Sequence, residues 1–351
     1  MPRSGIAILS LLLSAQLSAQ TPPDWTAVNL ALTDTIVIPA YGKFAENATT
    51  LQQQSASFCS DITPASLANL QTNYQLTLDT WQAMQNIQFG PITYFNWNYR
   101  LQYWPDDNGT GARQLAALIS SKDVSVLNTE TFARQSVGVQ GFQALELLLF
   151  SEQSLALLQG DPYQCQLVQT ISANISEIAS GVMQRWVDEF RSTIATADER
   201  GFFESAQDAT IDFLKATVEP IRTLQRQKLE AVLGENFAAS RIRRAESWRA
   251  DRSIRNMRIN VASIDLLFNG ASPALSSVLP AEDIEGINAS IILIKTTLDS
   301  LPDSMAVVLQ SEAGYNSLKQ VASEFDALYE LLEASLKKTD LYLGFNSLDG
   351  D

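Results

Sequence analysis

The 351-residue chain contains no histidine. Histidine is the commonest neutral nitrogen ligand for zinc and iron in proteins, and it is the usual general base near neutral pH. Its absence excludes metal sites and catalytic pairs that depend on imidazole. Any chemistry must therefore use carboxylates, tyrosines, arginines, amides or the backbone.

Cysteine is nearly absent as well, since Cys59 and Cys165 are the only two. Two thiolates without histidine partners make a poor tetrahedral metal site. An even pair in an exported chain instead predicts one disulfide, Cys59–Cys165. It would close a loop of roughly 100 residues and stabilise the fold by about 4 to 5 kcal/mol in the chain-entropy model.

Long apolar runs are missing, which predicts no membrane span. The apolar stretch Ile6 to Leu13 follows Arg3 and is too short to cross a bilayer, and a small-residue cleavage site ends at Ala19. This pattern predicts a signal peptide over residues 1–19. No cysteine lies near the cleavage site, so we expect an exported protein without a lipid anchor.

The net charge of −15 disfavours nucleic acid and anionic membrane surfaces as partners. Against this acidic background, seven arginines fall within one short segment. They either pair with nearby carboxylates or bind an anionic ligand. These arginines are Arg241, Arg243, Arg244, Arg249, Arg252, Arg255 and Arg258.

Strand signals are nearly absent, and apolar residues recur with helical spacing along most of the chain. One helix is predicted to begin at Thr63-Pro64, a capping residue followed by proline, and to end at Gly90-Pro91. The apolar stripes predict helices over 37–58, 67–87, 167–186, 211–221, 257–267, 284–298 and 318–332. The segment 92–104 is rich in aromatic residues and predicts an irregular lid or a short helix.

So many amphipathic helices predict an all-α fold of two antiparallel helical bundles. We place the division near residue 200, with an N-terminal bundle over 20–200 and a C-terminal bundle over 201–351. A weak sequence similarity between residues 145–150 and 264–268 is compatible with an internal duplication.

Several motifs, in order along nearly the whole chain, resemble those of the imelysin family. These are exported all-helical proteins linked to iron uptake and once described as insulin-cleaving metallopeptidases. The resemblance implies two helical bundles, a site in the groove between them and a periplasmic location. Its motifs are Pro39-Ala40-Tyr41, Phe89-Gly90-Pro91-Ile92, Tyr103-Trp104-Pro105-Asp106, Gly141-Phe142-Gln143-Ala144-Leu145-Glu146, Glu246-Ser247-Trp248-Arg249, Arg252-Ser253, Leu343-Gly344-Phe345-Asn346 and Asp349-Gly350-Asp351.

The family's Gly-x-His-x-x-Glu motif corresponds to Gly141, Gln143 and Glu146, so the histidine is replaced. Residues 143 and 146 are three apart and would share one face of a helix. Gln143 offers a carbonyl oxygen, but a neutral amide is a poor substitute for imidazole toward zinc or iron. The peptidase mechanism that the resemblance implies is therefore disfavoured.

Glu146 lies in an otherwise apolar stretch, so its carboxylate is either a cleft group that binds a cation or basic ligand, or the partner of an arginine. The resemblance suggests Gln143, Tyr41 and Asp106 as further oxygen donors. Asp106 also begins a sequence that imitates a calcium loop, but the glutamate needed at its twelfth position is absent, which favours a simple turn.

Glu246, Arg249 and Arg252 are spaced three apart and are predicted to share one helical face. They either form ion pairs or, through Arg249 and Arg252, hold an anionic part of a ligand.

The leading hypothesis is a non-enzymatic periplasmic binding protein with Glu146 at the centre of the groove. It would hold an iron-related chelate, a small anionic ligand, or iron or another hard cation through oxygen ligands. Two alternatives stay open: a metallopeptidase of imelysin type, and an adaptor whose groove binds a periplasmic protein partner.

Overall fold

The computed structural model describes residues 23–198 and 201–344, and every regular element in these ranges is helical. The all-α prediction is confirmed. The predicted signal peptide and the Asp349-Gly350-Asp351 motif lie outside the described residues. The first α-helices are α1 (Trp25–Leu32), α2 (Ile38–Ser60), α3 (Pro64–Gln82), α4 (Trp97–Leu101), α5 (Thr110–Ser121), α6 (Thr129–Phe132), α7 (Phe142–Leu149), α8 (Ser154–Gly160), α9 (Pro162–Arg185) and α10 (Arg191–Ala195).

The later α-helices are α11 (Ala206–Arg222), α12 (Ala231–Leu233), α13 (Ser253–Asn269), α14 (Ala281–Asp299), α15 (Met305–Val308) and α16 (Glu312–Leu336). Three π-helical segments, Thr33–Val37, Trp186–Phe190 and Thr223–Glu230, join or extend these helices. Short 3-10 helices occupy Gly90–Asn96, Val124–Val126, Val137–Val139, Phe237–Ala239, Ile242–Arg244 and Leu275–Val278. No described helix is both long and apolar enough to cross a bilayer.

Helix α3 begins as predicted, because the Thr63 side chain accepts from the backbone N–H of Ser66 and Pro64 occupies the first turn. The prediction that it runs to Gly90 is wrong. The α-helix ends at Gln82, and the backbone N–H groups of Met84 and Ile87 then donate to carbonyls three residues back. Both side chains are buried, so the apolar stripe continues through turns that periodicity does not distinguish from helix.

The helices form two antiparallel bundles. In the first, α2 packs on both α3 and α9, and in the second α16 packs on α11, on α14 and on the π-helical segment Thr223–Glu230. Contacts of α1 with α11 and of α3 with α13 join the two bundles. The position of a boundary near residue 200 and the internal duplication both stay predictions.

The predicted disulfide is confirmed. Cys59 near the end of α2 is bonded to Cys165 in the first turn of α9, with 5.8 Å between their Cα atoms. The bond therefore joins the two longest helices of the first bundle close to one end of their contact.

Candidate functional site

A pocket of about 560 Å³ lies where α5, α7 and the segment 243–249 meet, and we call it the Glu146 pocket. Its wall combines aromatic rings, two aspartates, three arginines and the polar residues of α7. The residues used below are Tyr103, Trp104, Asp106, Asp107, Gln143, Glu146, Arg243, Arg244, Trp248 and Arg249.

The position of α7 depends on Gly141, the residue before its first turn. A Cβ atom at this position would collide with the backbone carbonyl oxygens of Leu101 and Arg100. Only glycine allows this close approach to the end of α4. The approach fixes α7 so that both Gln143 and Glu146 line the pocket.

Glu146 is buried with 3% of its surface exposed, and its carboxylate forms no ion pair with any residue in 23–198 or 201–344. Its Oε1 atom accepts from the backbone N–H groups of Arg249 and Ala250, both at 2.9 Å. In the described part of the chain, nothing donates to the other oxygen, Oε2. Burial raises the pKa of Glu146 to about 7, although the two N–H groups and the charge of Arg249 oppose the shift.

Gln143 lies one helical turn before Glu146, and both polar atoms of its amide are buried. Neither atom has a hydrogen-bond partner among the described residues. Buried amides are nearly always bonded, since an unbonded polar group costs about 1 to 3 kcal/mol. The Gln143 amide in the wall of the pocket is therefore free to bond a ligand.

Three guanidinium groups line the same pocket, those of Arg243, Arg244 and Arg249. In residues 23–198 and 201–344, other arginines form ion pairs with carboxylates, but these three do not. Arg249 instead stacks over the ring of Trp248, with 4.3 Å from its Cζ atom to the ring centroid. The same wall carries the carboxyl groups of Asp106, Asp107 and Glu146, so its arginines exceed its carboxylates by one when Glu146 is protonated.

Comparisons with known proteins bear on this pocket. The family profile described as Imelysin, peptidase M75, matches residues 37–336. The chain belongs to the imelysin family. One curated relative, Iron-regulated protein A of Synechococcus elongatus, is 24% identical over 153 residues, which are 44% of this chain and 38% of that protein.

Two solved structures share the imelysin fold of this chain. An imelysin-like protein from Psychrobacter arcticum has a TM-score of 0.74 at 18% identity and covers 92% of this chain and 97% of its own. A structure described as an iron-regulated protein A precursor, from Parabacteroides distasonis, has a TM-score of 0.74 at 13% identity, with 90% and 97% covered.

The donor atoms in this member of the imelysin family do not suit a bare metal ion. Glu146 Oε1 is occupied by two N–H donors, Gln143 is neutral, and three arginines share the wall. No group of three or more histidine, cysteine, aspartate or glutamate side chains is arranged for a metal within the described ranges. Iron or another hard cation held directly by Glu146 therefore does not fit this pocket.

The prediction that Glu246, Arg249 and Arg252 share one helical face is wrong. Residues 246–251 form turns, and α13 begins only at Ser253. Ser247 and Asp251 have positive φ angles of 49° and 58°, which interrupt a right-handed helix. The spacing of three therefore does not bring the side chains together.

Glu246 instead lies in a separate buried group that we call the Lys228 cluster. Lys228 Nζ contacts Glu246 Oε2 at 2.8 Å, and Gln102 and Asn256 donate to the same carboxylate at 2.5 and 2.9 Å. Gln82 and Asn260 complete the cluster. Sequence reasoning missed Lys228, whose one signal is its position four residues after buried Leu224 on the same face.

The remaining predicted site residues do not all lie in the Glu146 pocket. Asp106 lines the Glu146 pocket, but its carboxylate accepts from the N–H groups of Thr110 and Gly111 at 2.7 and 2.9 Å, and so caps α5. Arg252 is buried, forms an ion pair with Asp79 and does not line the pocket.

Tyr41 also lies outside the pocket lining. It is fully buried in the first bundle, where its ring stacks on that of Trp186 with 6.2 Å between centroids. Of the seven predicted site residues, Gln143, Glu146, Asp106 and Arg249 come together, and Tyr41, Glu246 and Arg252 do not line the same pocket.

Proposed function

We propose that this chain is a non-enzymatic binding protein whose Glu146 pocket takes a small polycarboxylate or its ferric chelate. The observation that carries the proposal is the set of three arginines without carboxylate partners around the orphaned amide of Gln143. Guanidinium groups bind carboxylates through paired hydrogen bonds, and these are among the stronger polar contacts in proteins.

Each side chain has a distinct part in this proposal. Arg243, Arg244 and Arg249 hold carboxylate oxygens at the mouth, and the Gln143 amide donates to an oxygen deeper in the pocket. With a pKa near 7, Glu146 can be protonated beside a bound anion and then donate from Oε2. Anion affinity should therefore rise as the pH falls through 7, because protonation removes one negative charge from the wall.

Two further observations support a periplasmic, iron-related role. The disulfide is typical of proteins that fold in an oxidising compartment, in agreement with the predicted signal peptide. The printed names of two relatives refer to iron regulation. A ferric chelate reconciles that link with a pocket whose charges favour an anion over a bare cation.

Isothermal titration of the purified protein with citrate, ferric citrate, Fe²⁺ and Ca²⁺ tests the proposal. We expect citrate or its ferric complex to bind, and Arg249→Gln or Arg243→Gln to weaken binding by about tenfold or more, since each loses a charge-assisted hydrogen bond. Arg241→Gln is the matched control, because Arg241 is exposed in the same segment but does not line the pocket.

Stoichiometric binding of Fe²⁺ or Ca²⁺ that the arginine variants do not change would contradict the proposal. So would a failure of both citrate probes to bind at any pH between 5 and 8. Chelator-sensitive cleavage of an unfolded polypeptide would instead favour the metallopeptidase alternative.

A further inference from the structure

A second and larger cleft, of about 770 Å³, lies between the end of α3 and α4 on one side and α11 with the π-helical segment Thr223–Glu230 on the other. We call it the amide cleft, because side-chain amides and aromatic rings dominate its lining. Trp104 and Pro105 border both this cleft and the Glu146 pocket. No other residue is shared between the two linings.

The floor of the amide cleft is a fixed hydrogen-bond network. Lys228 Nζ donates to Gln85 Oε1 at 3.1 Å and to Asn260 Oδ1 at 2.7 Å, in addition to its contact with Glu246. Gln85 in turn donates to Gln102 Oε1 at 3.0 Å. The Lys228 ammonium group is therefore neutralised within the protein. A ligand on the floor of the cleft would meet polar groups in fixed positions and no free cation.

Both lysines of the lining have carboxylate partners, since Lys215 Nζ lies 3.9 Å from Asp212 Oδ1 and Lys228 pairs with buried Glu246. Two acidic side chains, Asp212 and Glu219, and two lysines, Lys215 and Lys228, border the cleft. This pairing contrasts with Arg243, Arg244 and Arg249 of the Glu146 pocket, which form no ion pair within the described residues. The cleft therefore offers an anion no unpaired lysine, and we expect its occupant to be neutral.

The rim of the cleft presents aromatic faces and one amide, that of Gln227, that the described residues do not use. Tyr99 and Phe202 are 57% and 64% exposed, and Trp104 is half-buried beside them. The side chain of Gln227 makes no hydrogen bond to any residue in the described ranges. Gln227 and Lys228 both lie in the π-helical segment, a distortion of helices that is frequent at functional sites.

We propose that the amide cleft binds a neutral polyhydroxylated ligand, an oligosaccharide. A hydroxyl both donates and accepts a hydrogen bond, and a primary amide offers both complementary groups on one plane. Aromatic rings that expose an apolar face, with their polar edge in solvent, can pack against the C–H face of a sugar ring. The volume lies within the range of small-ligand pockets, roughly 300 to 1,000 Å³.

A peptide fits this cleft less well. Extended peptides commonly bind along an exposed strand edge, and helical peptides bind in apolar grooves. The amide cleft is lined by helices and 3-10 turns and is rich in amides.

Titration of the full protein with maltotriose, cellotriose and triacetylchitotriose, followed by tryptophan fluorescence and calorimetry, tests the proposal. We expect at least one to bind and Tyr99→Ala or Gln227→Ala to weaken it by about tenfold, because each removes a stacking face or a hydrogen-bonding amide. Tyr342→Ala is the matched control, since Tyr342 is 71% exposed and does not line the cleft.

Saccharide binding that persists in Arg249→Gln and is not displaced by citrate would support a site separate from the Glu146 pocket. The absence of binding by all three saccharides at millimolar concentration would overturn the proposal. Equal affinity of Tyr99→Ala, Gln227→Ala and the parent would overturn it too, as would binding of unfolded peptides in place of saccharides.

Discussion

Glu146 and Glu246 are both almost completely buried, with 3% and 1% of their surfaces exposed, yet their environments shift their pKa values in opposite directions. Burial raises the pKa of Glu146 to about 7. Desolvation also acts on Glu246, but the Lys228 ammonium and hydrogen bonds from Asn256 and Gln82 together lower its pKa. The two carboxylates are buried to a similar degree, so their opposite pKa shifts come from their different charged and hydrogen-bonding partners.

This contrast separates a buried ion pair from the site that we propose for a ligand. The carboxylate of Glu246 is fully used by the protein, and its network joins α3, the π-helical segment and α13. Glu146 keeps one free oxygen beside an orphaned amide and unpaired arginines. We propose a binding role for the unsatisfied polar groups that line the Glu146 pocket, and for no other buried group.

The largest expected effect comes from breaking the Lys228 cluster. Lys228→Met should lower the free energy of unfolding by about 3 to 5 kcal/mol, because it leaves the Glu246 charge buried without an ion-pair partner. Urea unfolding at pH 7 measures the change. As a control, Lys295→Met removes a partly exposed pair with Asp265, and should cost about 1 kcal/mol or less. Equal losses of unfolding free energy in Lys228→Met and Lys295→Met would contradict the structural role that we give to the Lys228 cluster.

Displacing α7 should have the next largest effect. Gly141→Ala forces a Cβ atom into the carbonyl oxygens of Leu101 and Arg100 and should destabilise the protein by about 3 kcal/mol. Gly42→Ala is the matched control, because nothing lies within 4 Å of its new Cβ in α2. That change should stabilise by about 0.5 to 1 kcal/mol. Thermal unfolding of both variants checks the prediction, and a neutral Gly141→Ala would refute it.

Glu146→Gln should change how stability depends on pH. The folded pKa, about 7, lies above the ordinary 4.5, so the stability that the protonated carboxyl contributes is present below about pH 4.5 and is lost as the pH rises through 7. Glutamine can accept the same two N–H bonds but does not titrate. The variant should match the parent at pH 5 and exceed it by about 2 kcal/mol at pH 8.

Urea unfolding of the Glu146→Gln variant and the parent at pH 5, 6, 7 and 8 gives the difference curve. Titration of other groups cancels between the two proteins, so the curve isolates Glu146. A variant that is less stable than the parent at pH 8 would mean that the carboxylate is a favourable, charged part of the folded structure.

The smallest effect on stability is expected at Gln143. Gln143→Leu removes an amide that has no partner and should stabilise the ligand-free protein by about 1 kcal/mol. The same change should abolish the hydrogen bond that we assign to citrate and weaken its binding. Destabilisation by the leucine variant, measured by urea unfolding, would show that the amide is already bonded in the folded protein.

The helices and the disulfide could be predicted because helical periodicity and cysteine pairing are visible in short stretches of sequence. Gly141, Gln143 and Glu146 were found through the family motif. The Asp79–Arg252 pair could not be found, because its partners are 173 residues apart and no local pattern joins them. Positive φ angles at Ser247 and Asp251 were equally invisible, since neither residue type signals a turn as strongly as glycine does.

The most direct test of the account is an NMR titration of the Glu146 side-chain carboxyl carbon, with and without saturating citrate. The account predicts a pKa near 7 in the free protein that moves upward with citrate, because a bound anion favours the neutral acid. A pKa near 4.5, or one that citrate leaves unchanged, would contradict the assignment of this pocket as the anion site.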